Sequence, residues 1–182
     1  MGESTKKNAI VTPFQKGVRF VCCCGMVIVL LLVWVGPAVA WMDEPDRQWS
    51  GRVVRVVDGD TLRVERNGEE VKIRLQGVDA PEHDQPWGRE ATVFVRNQVL
   101  RQQVTVQGKE RDRYGRLVAY VILPNGTNLS HLLLRQGLAW WYYAYSNDHT
   151  LEAMEATARQ ARIGLWSDPD PEPPWEWRHR RR

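Results

Sequence analysis

Three short segments hold the residues whose types and spacing could do chemistry. In Val57-Asp58-Gly59-Asp60-Thr61 a turn delivers Asp60 to the start of a strand. Residues 71–82, VKIRLQGVDAPE, form an alternating strand that carries Arg74 within it and runs straight into Asp79 and Glu82. In Arg111-Asp112-Arg113-Tyr114-Gly115-Arg116 two arginines and a tyrosine stand just ahead of a further strand. Each has a plain explanation on its own. Asp58-Gly59-Asp60 is a turn, Asp79 and Glu82 around Ala80-Pro81 are a solvated loop whose proline disfavours helix at Ala80, and Arg116 is an exposed strand residue beside Asp112. Two carboxylates at a strand end are also one way to hold a metal ion, and the combination is more informative than its parts.

Hydrophobic periodicity gives the elements that must position these residues. RVVRVV (52–57) reads as a strand closed by the Asp58-Gly59 turn. Leu62 and Val64 alternate with Thr61, Arg63 and Glu65, and Val71, Ile73 and Leu75 alternate with Lys72, Arg74 and Gln76. Asn67-Gly68 between two such runs predicts a hairpin. From Trp87 the period changes: Ala91, Phe94, Val95 and Val99 fall at helical spacing and predict a helix over 87–101. Strand pattern returns at Val104 and Val106 and over 117–123. A second helix covers 128–136, with a Leu129, Leu132, Leu133 stripe and Gly137 beyond its end. A third begins at the N-cap Asp148, carries Leu151, Met154 and Ala158, and stops at Gly164. The order β-β-β-α-β-β-α-α predicts a mainly β protein with helices (α+β), a five-stranded OB-fold Greek-key barrel with three α-helices. Such a fold alone says little about activity.

The 182 residues suffice for one domain with a core, plus tails. The net charge of +3 comes from 25 basic and 22 acidic residues. Lys6, Lys7, Lys16 and Arg19, against Glu3, lie in the first forty, which leaves 21 of each sign in the rest. A polyanion must therefore be drawn by a local patch, since overall charge supplies no steering. The basic start, the apolar run from Phe20 and the small residues Ala38-Val39-Ala40 are the order of a secretory signal cleaved after Ala40. The competing reading is an uncleaved membrane anchor over 18–40. Either delivers residues 41–182 to the non-cytoplasmic side, secreted or periplasmic after cleavage, or membrane-anchored with the domain outside. Cys22, Cys23 and Cys24 all fall in this run, so the rest can form no disulfide or thiolate site. His83, His131, His149 and His179 show no zinc spacing. The expected organisation is 1–40 signal peptide or anchor, 41–49 linker, 50–167 barrel domain and 168–182 a tail rich in Pro, Trp and Arg. The tail's composition argues against a packed core, although Trp175 and Trp177 could dock.

DGDT (58–61), R-L-x-x-V-D-x-P-E (74–82), D-x-Y-G-R (112–116), R-Q-G-L-A (135–139) before a Tyr-rich segment, and L-W-S (165–167) together resemble the staphylococcal nuclease (thermonuclease) family over about residues 50–167. The resemblance implies a Ca2+-dependent endonuclease on an OB barrel. Such an enzyme hydrolyses the phosphodiester bonds of DNA and RNA with low sequence specificity, by water attack that leaves 3′-phosphate ends. It also implies roles. Asp60 and Asp79 match the two calcium carboxylates, and Ala80 the position whose main-chain carbonyl is a further ligand. Many members have threonine at that place, so metal binding is expected to survive while a hydroxyl hydrogen bond is lost. Calcium suits this set as a hard cation that takes loosely arranged oxygens and keeps waters. Glu82 matches the proposed general base, and Arg74 and Arg116 match the arginines that grip the scissile phosphate, for which guanidinium forks are well shaped. Tyr114 with Arg113 beside it matches a phosphate contact, and Tyr143 and Tyr145 line the base pocket. Trp140, Trp141 and Tyr142 read as packing, and His83 as solvated. A monomer is expected.

The rival reading is a catalytically silent OB module that binds nucleic acid or a protein. Loss of activity should show as substitution of Arg74, Glu82 or Arg116, and all three are present. A third reading is an anchored surface protein whose basic tail, Arg178 to Arg182, binds anionic lipid or nucleic acid.

Overall fold

The computed structural model describes residues 48–181. The segment read as signal or anchor lies outside the described residues, among which no helix is long and apolar enough to cross a membrane. Strand β1 (Gln48–Val56) pairs antiparallel with β2 (Thr61–Arg66), and β2 with β3 (Glu69–Leu75). The β2–β3 turn has Asn67 at φ 52° and Gly68 at φ 84°, the left-handed pair that matches strand twist in a two-residue hairpin. β5 (Gln103–Arg111) and β6 (Leu117–Ile122) form a second antiparallel pair. β6 runs parallel to β3 and β5 antiparallel to β1, which closes a five-stranded barrel.

Alternation decides what fills it. Val53, Leu62, Val64, Ile73, Val106 and Val121 are fully buried. Helix α1 (Gly88–Val99) adds Ala91, Val95 and Val99, α2 (Leu129–Arg135) adds Leu129 and Leu133, and α3 (His149–Gln160) adds Leu151 to one continuous core. Asp148 caps α3 as expected, its side chain accepting from the Thr150 amide. Two short strands, β4 (Val78–Asp79) and β7 (Trp140–Trp141), pair beside the barrel, with Asp79 opposite Trp140.

Three expectations differ from the structure. There are four α-helices among the described residues, not three, because the tail forms α4 (Pro174–Arg180). Pro174 at the first position of α4 pre-sets a helical φ. Trp175 then packs on a separate cluster of Trp140, Ala158, Leu165 and Trp166. Composition missed this helix because its burial comes from two or three large aromatics rather than from an apolar stripe. α3 ends at Gln160, short of Gly164, since Arg162 at φ 53° and Gly164 at φ 60° turn the chain into a 3-10 segment, Gly164–Ser167. β1 begins at Gln48, inside the stretch read as linker, because Trp49 is buried opposite Val106 of β5.

Candidate active site

The three segments singled out in the sequence meet in one cleft of about 970 Å³ at the edge of the barrel. β2–β3 pairing sets Thr61 against Arg74, which brings the Asp58–Asp60 turn beside the Arg74 side chain. Arg74 alternates off the face that buries Ile73 and Leu75, as its place in the strand predicts. Its guanidinium joins both carboxylates: Nη1 lies 2.8 Å from Asp60 Oδ2, and Nη2 donates to Asp79 Oδ1 at 2.7 Å. The same Nη1 donates to the Val78 carbonyl at 2.9 Å, fixing the fork. The Ala80 amide donates to Asp60 Oδ2 at 2.8 Å, so the main chain at Ala80 is held against Asp60. Gly59 packs so closely here that an added Cβ would lie 2.7 Å from the Ala80 Cβ.

Arg116 comes from the other side. The β5–β6 turn is built on Asp112, whose Oδ1 accepts the Tyr114 and Arg116 amides at 2.9 and 3.0 Å, while Oδ2 accepts Arg116 Nε at 2.6 Å. Arg116 Nη1 reaches Thr61 Oγ1 at 3.4 Å, and that hydroxyl donates to Asp60 Oδ1 at 3.0 Å. The two arginines therefore flank the Asp60 carboxylate from different strands. Glu82 lines the same cleft in a tight turn, its carbonyl accepting from the Gln85 amide at 2.9 Å. Its own amide is bound by Gln85 Oε1 at 3.0 Å.

Of the aromatic residues, Tyr114 is 65% exposed beneath the Arg113 and Arg116 guanidiniums, whose carbons lie 4.9 and 5.5 Å from its ring centre. Tyr145 lines the cleft and is 77% exposed. Tyr143 lies outside the cleft lining, edge-on to Trp141 and Trp175. Trp140 is buried in the second cluster, in keeping with a packing role, whereas Tyr142 also lines the cleft. His83 is exposed.

Four residues that line or brace the site were not among the predicted site residues. Asp58 lines the cleft, and burial, then the Asp60 charge, push its carboxyl up to about 7. Gln85, 6% exposed, ties the Glu82 turn to the tail by donating Nε2 to the Glu172 carbonyl at 2.7 Å. Trp175 stacks on Tyr142 with ring centres 5.6 Å apart and planes 5° from parallel. Arg178 of α4 donates to Asp79 Oδ2 at 2.7 Å and to Glu82 Oε1 at 2.8 Å. The sequence signal for the last two was their spacing: three apart on a helix, Trp175 and Arg178 share a face.

Burial pushes the Asp79 carboxyl up, against the pull of Arg178 and Arg74. Against the effect of burial, the Asp79 and Glu82 carboxylates hold Arg178 charged beyond the ordinary arginine range. Among the described residues no three His, Cys, Asp or Glu side chains converge as a metal cage. The oxygens of Asp60 and Asp79 beside the Ala80 main chain instead suit a hard cation held by few protein ligands and completed by water. A third acid, Asp58, its carboxyl raised first by burial and then by the Asp60 charge, adds to the negative charge that a cation would relieve.

Comparison with known proteins gives a consistent result. The sequence model of the family described as staphylococcal nuclease homologue matches residues 72–168. A protein of Escherichia coli O157:H7 named "Uncharacterized endonuclease" is 47% identical over 131 residues, covering 72% of this chain and 86% of that protein. "Micrococcal nuclease" of Shigella flexneri is 38% identical over 149 residues, covering 76% and 83%. A Haemophilus influenzae protein, again named "Uncharacterized endonuclease", is 35% identical over 128 residues, covering 70% and 71%.

Proposed function

The chain belongs to the staphylococcal nuclease family, and from that premise we propose that it is a Ca2+-dependent endonuclease that hydrolyses DNA and RNA with low sequence specificity. The observation that carries this is the convergence of Arg74 and Arg116 on either side of Asp60, with Asp79 and Glu82 in the same cleft.

Asp60, Asp79 and the Ala80 carbonyl would hold the calcium, which when bound supplies positive charge to the phosphate and to a water. The protein's own groups do the rest. Arg74, already fixed by the Val78 carbonyl, and Arg116, already fixed by Asp112, present N–H forks to phosphate oxygens. Phosphate gains negative charge as water attacks, so donors held in place beforehand bind the transition state more strongly than the substrate. Glu82 stands where it can accept a proton from the attacking water, its main chain pinned by Gln85. Tyr145 offers an exposed ring face that would stack on any base, in keeping with low specificity, and Tyr114, beneath Arg113 and Arg116, would contact a phosphate. The neutral balance of residues 41–182 places substrate attraction on this cleft rather than on the surface as a whole.

The proposal includes location outside the cytoplasm, secreted or periplasmic if cut near Ala40 and membrane-held if not. It rests on the order of basic, apolar and small residues in 1–40. N-terminal sequencing of the exported protein distinguishes the two, since an intact Met1 end excludes cleavage.

The deciding experiment is digestion of single-stranded DNA by the purified protein, with calcium and then with a chelator. Cleavage that stops on chelation supports the reading. Cleavage indifferent to chelation removes calcium from it, and binding without cleavage in either condition leaves the silent module.

A further inference from the structure

We propose that Arg178 is a third arginine of the substrate site, resting on Asp79 and Glu82 until a divalent cation takes those oxygens and then passing to a phosphate of the bound strand. This rests on the nuclease reading above.

The guanidinium of Arg178 engages the two carboxylates that the reading assigns to metal binding and water activation, at 2.7 and 2.8 Å, with a further contact to Asp79 Oδ1 at 3.3 Å. A divalent cation that takes Asp79 Oδ2 needs the oxygen that Arg178 holds at 2.7 Å, and two like charges repel at that separation, so one displaces the other from this atom. Arg178 is thus a tethered cation that stands in for the metal. Arg74 pairs with both metal carboxylates, but through Asp60 Oδ2 and Asp79 Oδ1, which leaves Asp79 Oδ2 to Arg178, and the Val78 carbonyl fixes it there. It has no such freedom to move.

Displacing the Arg178 side chain does not free its helix. α4 has its own attachments: Trp175 stacks on Tyr142 and meets Trp140 edge-on at 5.7 Å, the Glu172 carbonyl accepts from Gln85, and Arg181 pairs with Asp84. The long stem of Arg178, its side chain 35% exposed, therefore stays over the cleft after its carboxylates are taken. Tyr142, Tyr145 and Trp175 line the same cleft as Arg178, so a strand stacked on Tyr145 lies in the cleft that this guanidinium overhangs. A phosphate is the one anion the reaction brings there, and a fork of N–H donors suits its oxygens.

The test uses the full chain, as wild type, Arg178→Ala, Arg178→Lys and the control Arg180→Ala, whose partner is Glu172 rather than the cleft. Ca2+ binding is measured calorimetrically without nucleic acid. Binding of an uncleaved single-stranded phosphorothioate hexanucleotide is then measured at saturating Ca2+. If the guanidinium holds the carboxylates about nine-tenths of the time, its loss tightens Ca2+ about tenfold. Arg178→Ala is expected to do this and to weaken the oligonucleotide about tenfold, with Arg178→Lys between and Arg180→Ala unchanged. Ca2+ affinity that stays constant or falls in Arg178→Ala overturns the proposal. So does oligonucleotide binding that is unchanged or tighter, which would make Arg178 a plug only. Should Arg178→Ala lose its near-ultraviolet circular dichroism, Arg178→Gln and Arg178→Lys give the same comparison. Absence of DNA cleavage by wild type with Ca2+ would instead defeat the nuclease reading, and both binding measurements would still decide the role of Arg178.

Discussion

Gly88, the first residue of α1, lies so close to Glu82 that a Cβ added to it would overlap the Glu82 carbonyl oxygen. The five-residue turn between them is closed by Gln85 and Gly88 amides donating to the Glu82 and Gln85 carbonyls at 2.9 and 3.0 Å. Backbone cannot yield as a side-chain tip would, so Gly88→Ala must move Glu82. The expected result is a fall of tenfold or more in kcat/KM with about 1–3 kcal/mol lost in stability. Steady-state kinetics and urea unfolding measure the two, and unchanged kinetics would mean that the position of Glu82 does not govern the reaction.

Arg74 is expected to be the costliest residue to change. Arg74→Lys keeps a charge but loses the fork that spans Asp60 and Asp79. Removing one preorganised donor costs about 3 kcal/mol of barrier, or roughly two to three powers of ten in kcat. Single-turnover cleavage at saturating Ca2+ reads this directly. A loss under tenfold would take Arg74 out of the transition state.

Gln85 makes a contrasting prediction. Its Oε1 and Nε2 satisfy the Glu82 amide and the Glu172 carbonyl, and both are left without a partner in Gln85→Leu. About 1–3 kcal/mol of stability is expected to be lost. Amide hydrogen exchange should quicken in α4 and in residues 82–88 together while the barrel strands keep their protection. Loosening of one segment without the other would contradict a shared anchor.

Asp112 gives a pH dependence. Burial acts to raise its carboxyl, but the Arg116 side chain and the Arg116 and Tyr114 amides outweigh it and hold the group below the usual carboxylate range. A carboxyl lowered in the folded state stabilises the fold above the unfolded value of about 4 and loses that effect as pH falls through its folded value. The Tm of wild type should therefore exceed that of Asp112→Asn by a constant margin from pH 8 to 5, and the margin should shrink below pH 4. A margin that widens on acidification would refute the assignment. With Arg116 less firmly oriented, kcat/KM of the variant at pH 8 is expected to fall about tenfold.

Much of this site was legible in the sequence because its residues sit where pattern and function coincide. Arg74 falls on the polar side of an alternating strand, and Asp60 and Asp79 follow turn signals at strand ends. The barrel was readable for the same reason: Asn67-Gly68 fixes the hairpin, and Leu62, Val64, Ile73 and Leu75 alternate without interruption. What escaped notice depends on contacts distant in sequence. Gln85 is an ordinary loop residue until Glu172 arrives 87 positions later. α4 is seven residues long, too short to show a period, and is held by Trp175 packing on Trp140, Tyr142 and Tyr143. Asp58 resembles any turn aspartate, since only burial beside Asp60 distinguishes it.

The parallel pairing of β3 with β6 sets Arg74 beside Val118, two positions past Arg116, and joins stretches more than forty residues apart in the chain. Closing so long a loop costs entropy before any contact offsets it, and such topologies fold slowly. The two arginines are therefore neighbours only once the barrel has closed. A partly folded chain holding the β1–β3 meander would carry Asp60, Arg74 and Asp79 yet have no second arginine, so on refolding cleavage should return with the slowest folding phase and not with the first burst of secondary structure.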